Sequence, residues 1–395
     1  MGGALFGIRV LDFTRMLAGP YCTRLFADLG AEVIKIEPPE GDHIRHAAPV
    51  RDGRSAYFGQ LNCGKKSIAV DLAKPEGRAL VHALVRKADV VIENFRPGVA
   101  RRIGIGYETL RALKPDLVYA SISGFGQSGP GAERPAYAPI VHAASGYDLV
   151  NLAYQTGGET RPANTGANVA DVLSGALAAS AIQSALLHRE RTGQGQMVDV
   201  ALMDAMISLM PYDAQAVQFP NNRARPIYVP LQASDGFVVV APVTASNFAD
   251  MCRAVARPEW IEDPRYATGP ERARHWLQLM AQVEDWTRAR TASACETAFR
   301  AAGCPAARYA TLSEALGDAQ LAHRGMLVDC DDGAGPFKVT NSPYRLSETQ
   351  PQAAGWVPRL GQHNREICEG LLGMAPDEIA ALENAGILAH EADRG

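Results

Sequence analysis

The residue with the strongest chemical setting is Asp171, in the run Thr165-Gly166-Ala167-Asn168-Val169-Ala170-Asp171-Val172-Leu173-Ser174-Gly175. It stands at the start of a predicted helix that stays apolar or small through Leu187. A carboxylate there meets the positive end of the helix dipole and the unpaired first-turn N–H groups, which favour its ionised form. The flanking apolar residues keep water and competing cations away. Held ionised in a dry, glycine-lined place, such a group is equipped to be a nucleophile. The same residue also reads as a plain helix N-cap.

Other groups that carry chemistry lie upstream. Gly124-Phe125-Gly126-Gln127-Ser128-Gly129 has the spacing of a dinucleotide-binding turn, but it runs into Pro130-Gly131 and a polar loop instead of opening a helix. It therefore reads as a flexible loop lying over a ligand, not as a site for NAD or flavin. Leu17-Ala18-Gly19-Pro20 follows the first predicted strand, and its free N–H groups suit either a cradle for phosphate or an adenine edge, or a tight connection. Arg15, Arg45, Lys65, Lys66, Arg96, Arg101 and Arg102 lie near predicted strand ends. Singly they read as surface residues, and together as partners for the phosphates of a nucleotide-like ligand. Tyr137 and His142 follow the glycine loop; His142 reads as an acid/base group or as a structural histidine at a helix start.

The elements that must position these groups alternate. Ile8–Phe13, Glu32–Glu37, Ser67–Asp71, Asp89–Glu93, Leu117–Ile122 and Met197–Ala201 read as strands. Between them Ala18–Leu29, Pro75–Lys87 and Tyr107–Leu113 read as helices, which implies βαβ units and a mostly parallel sheet. Ligands then belong at the carboxyl ends of the strands. Pro220 to Pro230 reads as a linker, rich in Pro, Asn and Arg. A strand at Gly236–Ala241 and helices from Ala245, Arg272 and Ala292 follow it. Two short terminal helices, Arg365–Gly373 and Pro376–Ala385, sit on a tail long enough to return to the first domain.

Composition narrows the class. The 395 residues exceed one typical core, and 47% hydrophobic with 21% charged residues is ordinary for a soluble globular protein. A net charge of −4 without basic blocks speaks against binding along nucleic acid or to an anionic membrane. The seven cysteines show no Cys-x-x-Cys pair and the histidines no ligand spacing, which points away from a metal site and toward a reducing cytoplasm. No segment reads as a membrane span.

Together these segments resemble the family III CoA-transferases, a group that includes acyl-CoA racemases. The resemblance rests on Val10 to Pro20, Gly30 to Glu37, Leu61-Asn62 with Gly64 to Ala69, Glu93 to Gly98, Ser123 to Pro130, Asp171 with Gly175, and Gly193 to Val200. It implies an α/β fold: a Rossmann-like large domain with a parallel sheet over residues 1–220, completed by 326–395, and a smaller α+β domain over 221–325. It also implies a homodimer of interlocked rings.

Asp171 falls on the family's catalytic aspartate, so the implied chemistry is CoA transfer through an aspartyl anhydride and an aspartyl-CoA thioester. The substrates are then an acyl-CoA thioester and an organic acid, with no metal, NAD or flavin. By the same resemblance Met16, Leu17, Ala18, Arg45, Asn94, Phe95, Arg102 and Met203 line the CoA site, and Gly126, Gln127 and Tyr137 face substrate. Arg15 is suited to hold the distal carboxylate of a diacid such as succinate. The alternative is a 2-methylacyl-CoA racemase using Asp171 and His142, but racemases of this fold have a His-Asp pair where this chain has Tyr137-Ala138. Formyl-CoA transferases carry an acidic residue at Ala138 and glycines at Pro242 to Ala245, so an oxalate-type substrate is not expected.

Overall fold

The computed structural model describes residues 2–155, 157–163, 165–219 and 227–391. The chain divides into one unit of Met1–Leu149, Ala163–Pro211 and Gln320–Gly395, and a second of Val150–Pro162 and Tyr212–Ala319. Residues 150–162 thus group with the second unit, and the chain leaves the first at 211 instead of 220. The first seven residues of the expected linker at Pro220–Pro230 lie outside the described residues.

The first unit is built on seven strands: β1 (Arg9–Asp12), β2 (Glu32–Glu37), β3 (Lys66–Val70), β4 (Val90–Glu93), β5 (Val118–Ser123), β6 (Met197–Ala201) and β7 (Leu388–Ala389). Their order is β7-β3-β2-β1-β4-β5-β6, all parallel except β7, which the C-terminal tail adds antiparallel to β3. The central strands are buried on both faces, as a covered parallel sheet requires. Without its edge strand this is the doubly wound order. Its switch point, where ligands enter at the carboxyl ends, lies between β1 and β4.

Helices cover both faces: α1 (Ala18–Asp28), α2 (Ala56–Asn62), α3 (Pro75–Val85), α4 (Val99–Arg102), α5 (Tyr107–Leu113), α6 (Ala138–Ala144), α7 (Val169–Thr192) and α8 (Leu202–Ser208). Alternation along the strands divides the core. Val10, Val33, Val90 and Ile92 face α1, α6, α7 and α8, whereas Leu11, Ile34, Val91 and Tyr119 face α3, α5 and the terminal helices. The hairpin Leu327–Asp331 with Pro336–Thr340 and the short helix α2 were not evident as sequence patterns, because neither has a long hydrophobic period.

One expectation is overturned. α7 has 24 residues and is apolar enough by length and composition to cross a membrane, although no such segment was expected. It buries one face, with Ala170, Ser174, Gly175, Ala178, Ile182 and Ala185 against the core, and exposes Val172, Leu177 and Leu187 on the other. The interspersed Ala, Ser and Gly residues disguised its apolar character.

α1 and α7 approach closely at Gly175, where a Cβ would lie 2.5 Å from the Ala18 carbonyl oxygen and 3.2 Å from Tyr21. Only a residue without a side chain permits this contact. The second unit has a three-stranded antiparallel sheet of Leu231–Gln232, Phe237–Val240 and Ala306–Arg308. Helices Ala245–Ala254, Trp276–Arg288 and Ala292–Ala301 pack on it through Phe248, Met251, Leu279 and Phe299. Gly175→Ala is expected to destabilise the protein by about 1–3 kcal/mol in denaturant unfolding, because the new methyl group meets backbone. Gly370→Ala, on an open helical face, is expected to stabilise by about 0.5–1 kcal/mol.

Candidate active site

The turn after β1 is tied to its neighbours almost atom by atom. Thr14 N–H donates to Asp12 Oδ1 at 2.9 Å, and Lys35 Nζ donates to the Thr14 carbonyl at 2.8 Å. Across the switch point, Arg15 N–H donates to Asn94 Oδ1 and Asn94 Nδ2 returns a bond to the Arg15 carbonyl, each at 2.8 Å. Met16 N–H donates to Asp42 Oδ1 at 3.3 Å, and Met16 itself has φ +67°. α1 begins two residues later. Among the described residues nothing accepts from the amides of Leu17 or Ala18, so the turn ends in two unengaged donors at a helix N-terminus.

Asp171 lies on the facing helix, one turn before Gly175 and therefore against the start of α1. It is the third helical residue and makes no capping bond, so the N-cap reading fails. No cation or hydrogen-bond donor among the described residues touches its carboxylate. Burial alone raises its pKa to about 6, opposite to the expectation that the helix start would favour ionisation. First-turn amides are spent elsewhere: Ala170 N–H donates to His142 Nε2 at 3.1 Å and Val172 N–H to the Asn168 carbonyl at 3.1 Å.

His142 is buried, and burial lowers its pKa. With Nε2 accepting from Ala170, its ring proton resides on Nδ1 and its free lone pair is used. Its position anchors α7. Tyr57 on α2 was not recognised from sequence; its phenol is held up in pKa by burial and by the charges of Asp171 and Asp42. No local signal marks it.

The second rim follows β4. Glu93 is buried and accepts from Phe95 N–H at 2.7 Å, and burial lifts its pKa to about 7. It floors a cavity of about 630 Å3 bounded also by Gly98, Arg101, Tyr107, Tyr119 and Gln127. The glycine loop forms one wall and is more firmly held than expected. Gly126 N–H donates to Ser123 Oγ, Gln127 N–H to Asp199 Oδ2, and Gln127 Nε2 to Ser121 Oγ at 2.7 Å. Gln127 thus directs its side chain to the sheet.

The expected CoA residues divide by their partners. Met16, Leu17, Ala18, Asn94 and Phe95 meet at the switch point, with the Arg15 guanidinium 5.5 Å from the centre of the Phe95 ring. Met203 joins the glycine loop through its N–H to the Gly124 carbonyl, and Tyr137 is exposed before α6. Arg102 and Arg101 are exposed at the end of α4, and neither they, Arg15 nor Arg96 pairs with an acid among the described residues. Arg45, expected on CoA, is committed instead to Glu37 at 2.8 and 2.7 Å and lies over Phe58. Lys65 is buried on Asp12, and Lys66 pairs with Glu32 and Glu366 at the amino end of β3. These three cations are removed from the phosphate-binding set.

The signature of CoA-transferase family III matches residues 5–364. The chain belongs to that family. A succinyl-CoA–D-citramalate CoA-transferase of Chloroflexus aurantiacus is 37% identical over 95% of this chain and 96% of its own. A succinyl-CoA:mesaconate CoA-transferase of Haloarcula hispanica is 36% identical over 93% and 96%. The crystal structure of a CAIB/BAIF family protein from Brucella suis superposes with a TM-score of 0.81 at 34% identity, over 94% of this chain and all of that one. The protein is a CoA-transferase.

For this transferase the raised pKa of Asp171 makes stability depend on pH. The folded chain holds the proton between 3.8 and about 6, so the stability contributed is full below the lower value and is lost as pH rises through the upper. Asp171→Asn is therefore expected to raise stability at pH 7.5 by about 1–2 kcal/mol and to flatten that part of the pH–stability curve. If the ionised Asp171 is the reacting group, the acid limb of kcat/KM for the unaltered enzyme is expected near pH 6.

Proposed function

We propose that this enzyme moves CoA from succinyl-CoA, or a closely similar dicarboxylic thioester, to a second dicarboxylic acid through covalent intermediates on Asp171. The observation that carries the reading is a half-buried, unpaired carboxylate set against a helix start with two unengaged amides. Asp171 attacks the thioester carbonyl, and the tetrahedral oxyanion is met by the Leu17 and Ala18 N–H groups. Collapse expels CoA thiolate and leaves a mixed aspartyl anhydride. The thiolate then attacks the aspartyl carbonyl, giving aspartyl-CoA thioester and freeing the donor carboxylate. The acceptor carboxylate attacks that thioester, thiolate leaves, and its return to the acceptor acyl carbon restores Asp171. Each bond broken is matched by one formed, so neither ATP nor a redox group enters.

Arg15 holds the carboxylate remote from the reacting end. Support comes from its guanidinium, which lies over Phe95 without an acid partner among the described residues, and from relatives that use succinyl-CoA with citramalate or mesaconate. The enzyme works as a homodimer of interlocked protomers, a reading supported by the exposed Val172, Leu177 and Leu187 on the outer face of α7. A reducing cytoplasm suits its seven cysteines, all free and buried. The racemase alternative is disfavoured because the Nε2 lone pair of His142 already accepts from Ala170.

The test is intact-protein mass spectrometry after incubation with succinyl-CoA without an acceptor. A mass gain of CoA less water is expected, mapping to Asp171, discharged by hydroxylamine and absent in Asp171→Ala. No adduct in the unaltered protein would refute the covalent route. Arg15→Gln is expected to raise KM for succinate about 10- to 100-fold while leaving adduct formation from acetyl-CoA, if accepted, within about three-fold. Parallel losses with succinate and with acetyl-CoA would exclude the distal-carboxylate role.

A further inference from the structure

The β1–α1 turn is held by charges that the transfer chemistry does not itself consume. Lys35, Lys65, Asp12 and Asp42 are all essentially solvent-free. Lys65 pairs with Asp12 and Lys35 with Asp42, each at 3.1 Å. Breaking such a pair is costly, but replacing it with apolar residues is often neutral or favourable, so stability alone explains its presence poorly. Contacts with the turn offer a better explanation.

Asp42 Oδ1 accepts from both Met16 N–H and Ile44 N–H, each at 3.3 Å, the second capping the short turn His43–His46, while its other oxygen faces Lys35. Lys35 also donates to the Thr14 carbonyl. Asp42 is itself located by its N–H to Glu37 Oε1 at 3.1 Å, and Glu37 is gripped by Arg45 and by Ser67 Oγ at 2.7 Å. Met16 therefore receives its left-handed backbone from a rigid frame beneath it, at a φ of +67° that a side-chain-bearing residue rarely adopts. The next two amides are the unengaged donors of Leu17 and Ala18.

We propose that Asp42 is a positioning residue for acyl transfer: paired with Lys35 and bonded to Met16 N–H, it keeps Met16 left-handed and so sets the Leu17 and Ala18 amides against the helix that carries Asp171. The inference rests on the reading of Asp171 as nucleophile and of these amides as oxyanion donors. Asp42 acts through Met16 and touches no reacting atom.

The test is a double-mutant cycle between Asp42→Asn and Met16→Gly, because glycine adopts a positive φ unaided. Two quantities are read: the single-turnover rate of Asp171–CoA adduct formation from succinyl-CoA, and equilibrium affinity for CoA. With Met16 present, Asp42→Asn is expected to slow adduct formation about 100-fold and to change CoA affinity by less than about three-fold. In the Met16→Gly background the same substitution is expected to slow it by less than about ten-fold. Equal slowing in both backgrounds overturns the proposal, as does an unchanged rate or a loss of CoA affinity in step with the rate. Should Asp42→Asn not fold, the cycle is repeated with Lys35→Met added to remove the stranded cation. Failure of that combination to fold would assign the frame a structural role and overturn the positioning one. Absence of an Asp171 adduct in the unaltered enzyme would remove the underlying transfer reading as well, and it is recognised before any substitution is made.

Discussion

The close contact between α1 and α7 is the constraint on which the site depends. Gly175 lets α7 rest on the Ala18 carbonyl, and with Ala178, Ala179 and Cys22 it brings two helix backbones together at the carboxyl end of the sheet. α1 starts at the switch point because β1 ends there, so whatever α7 carries one turn before Gly175 is delivered to the ligand crevice. The carboxylate of Asp171 is thus located by packing and not by hydrogen bonds of its own. Location by packing leaves the carboxylate's lone pairs unoccupied.

Burial by itself does not decide how the acids in this unit behave. Asp12 and Glu37 are more deeply buried than Asp171, yet their pKa values are lowered, since burial is outweighed by Lys65 and Lys35 at Asp12 and by Arg45 and Lys35 at Glu37. Asp171 has no such partner and its pKa rises. The frame of paired charges and the bare carboxylate are therefore complementary. The paired groups are held by the opposite charge each faces, and the unpaired one keeps its lone pairs free.

Much of the scaffold was legible in the sequence. Glu32–Glu37, Met197–Ala201 and Tyr107–Leu113 form at the limits their patterns implied, because compact runs of β-branched residues and the apolar spacing of Tyr107, Leu110 and Leu113 are local signals. The site was legible in part. Asp171 and the Leu17-Ala18 turn stood out by setting, whereas the electrostatics depended on distant partners: His142 takes an α7 amide from 28 residues away. Arg45, Lys65 and Lys66 looked available for phosphates because a sequence displays cations without the carboxylates that consume them. Lys35 carried no local mark, and Asp42 only that of a cap for the turn His43–His46, since their wider meaning lies in the backbone they hold.

A half-buried carboxylate is a demanding nucleophile in the proposed cycle, because there the same group must attack, accept CoA and then leave. Desolvation raises the free energy of the ionised form, and attack relieves it as charge passes to the thioester oxygen, within reach of donors that need no rearrangement. On the return, expulsion of Asp171 would restore the desolvated anion, so a much higher pKa would stall the second half of the proposed cycle. A carboxylate pKa near 6 lies between these demands: raised enough to be reactive, and low enough to be ionised at neutral pH and to depart. The apolar start of α7 matters for the same reason, since an anhydride or aspartyl thioester open to water would hydrolyse and its energy would not reach the acceptor. In the proposed cycle, binding of the second acid must therefore precede any wetting of the site. A cation such as Arg15 at the rim, tied through its backbone to Asn94, would draw in a remote carboxylate while the reacting end remains dry.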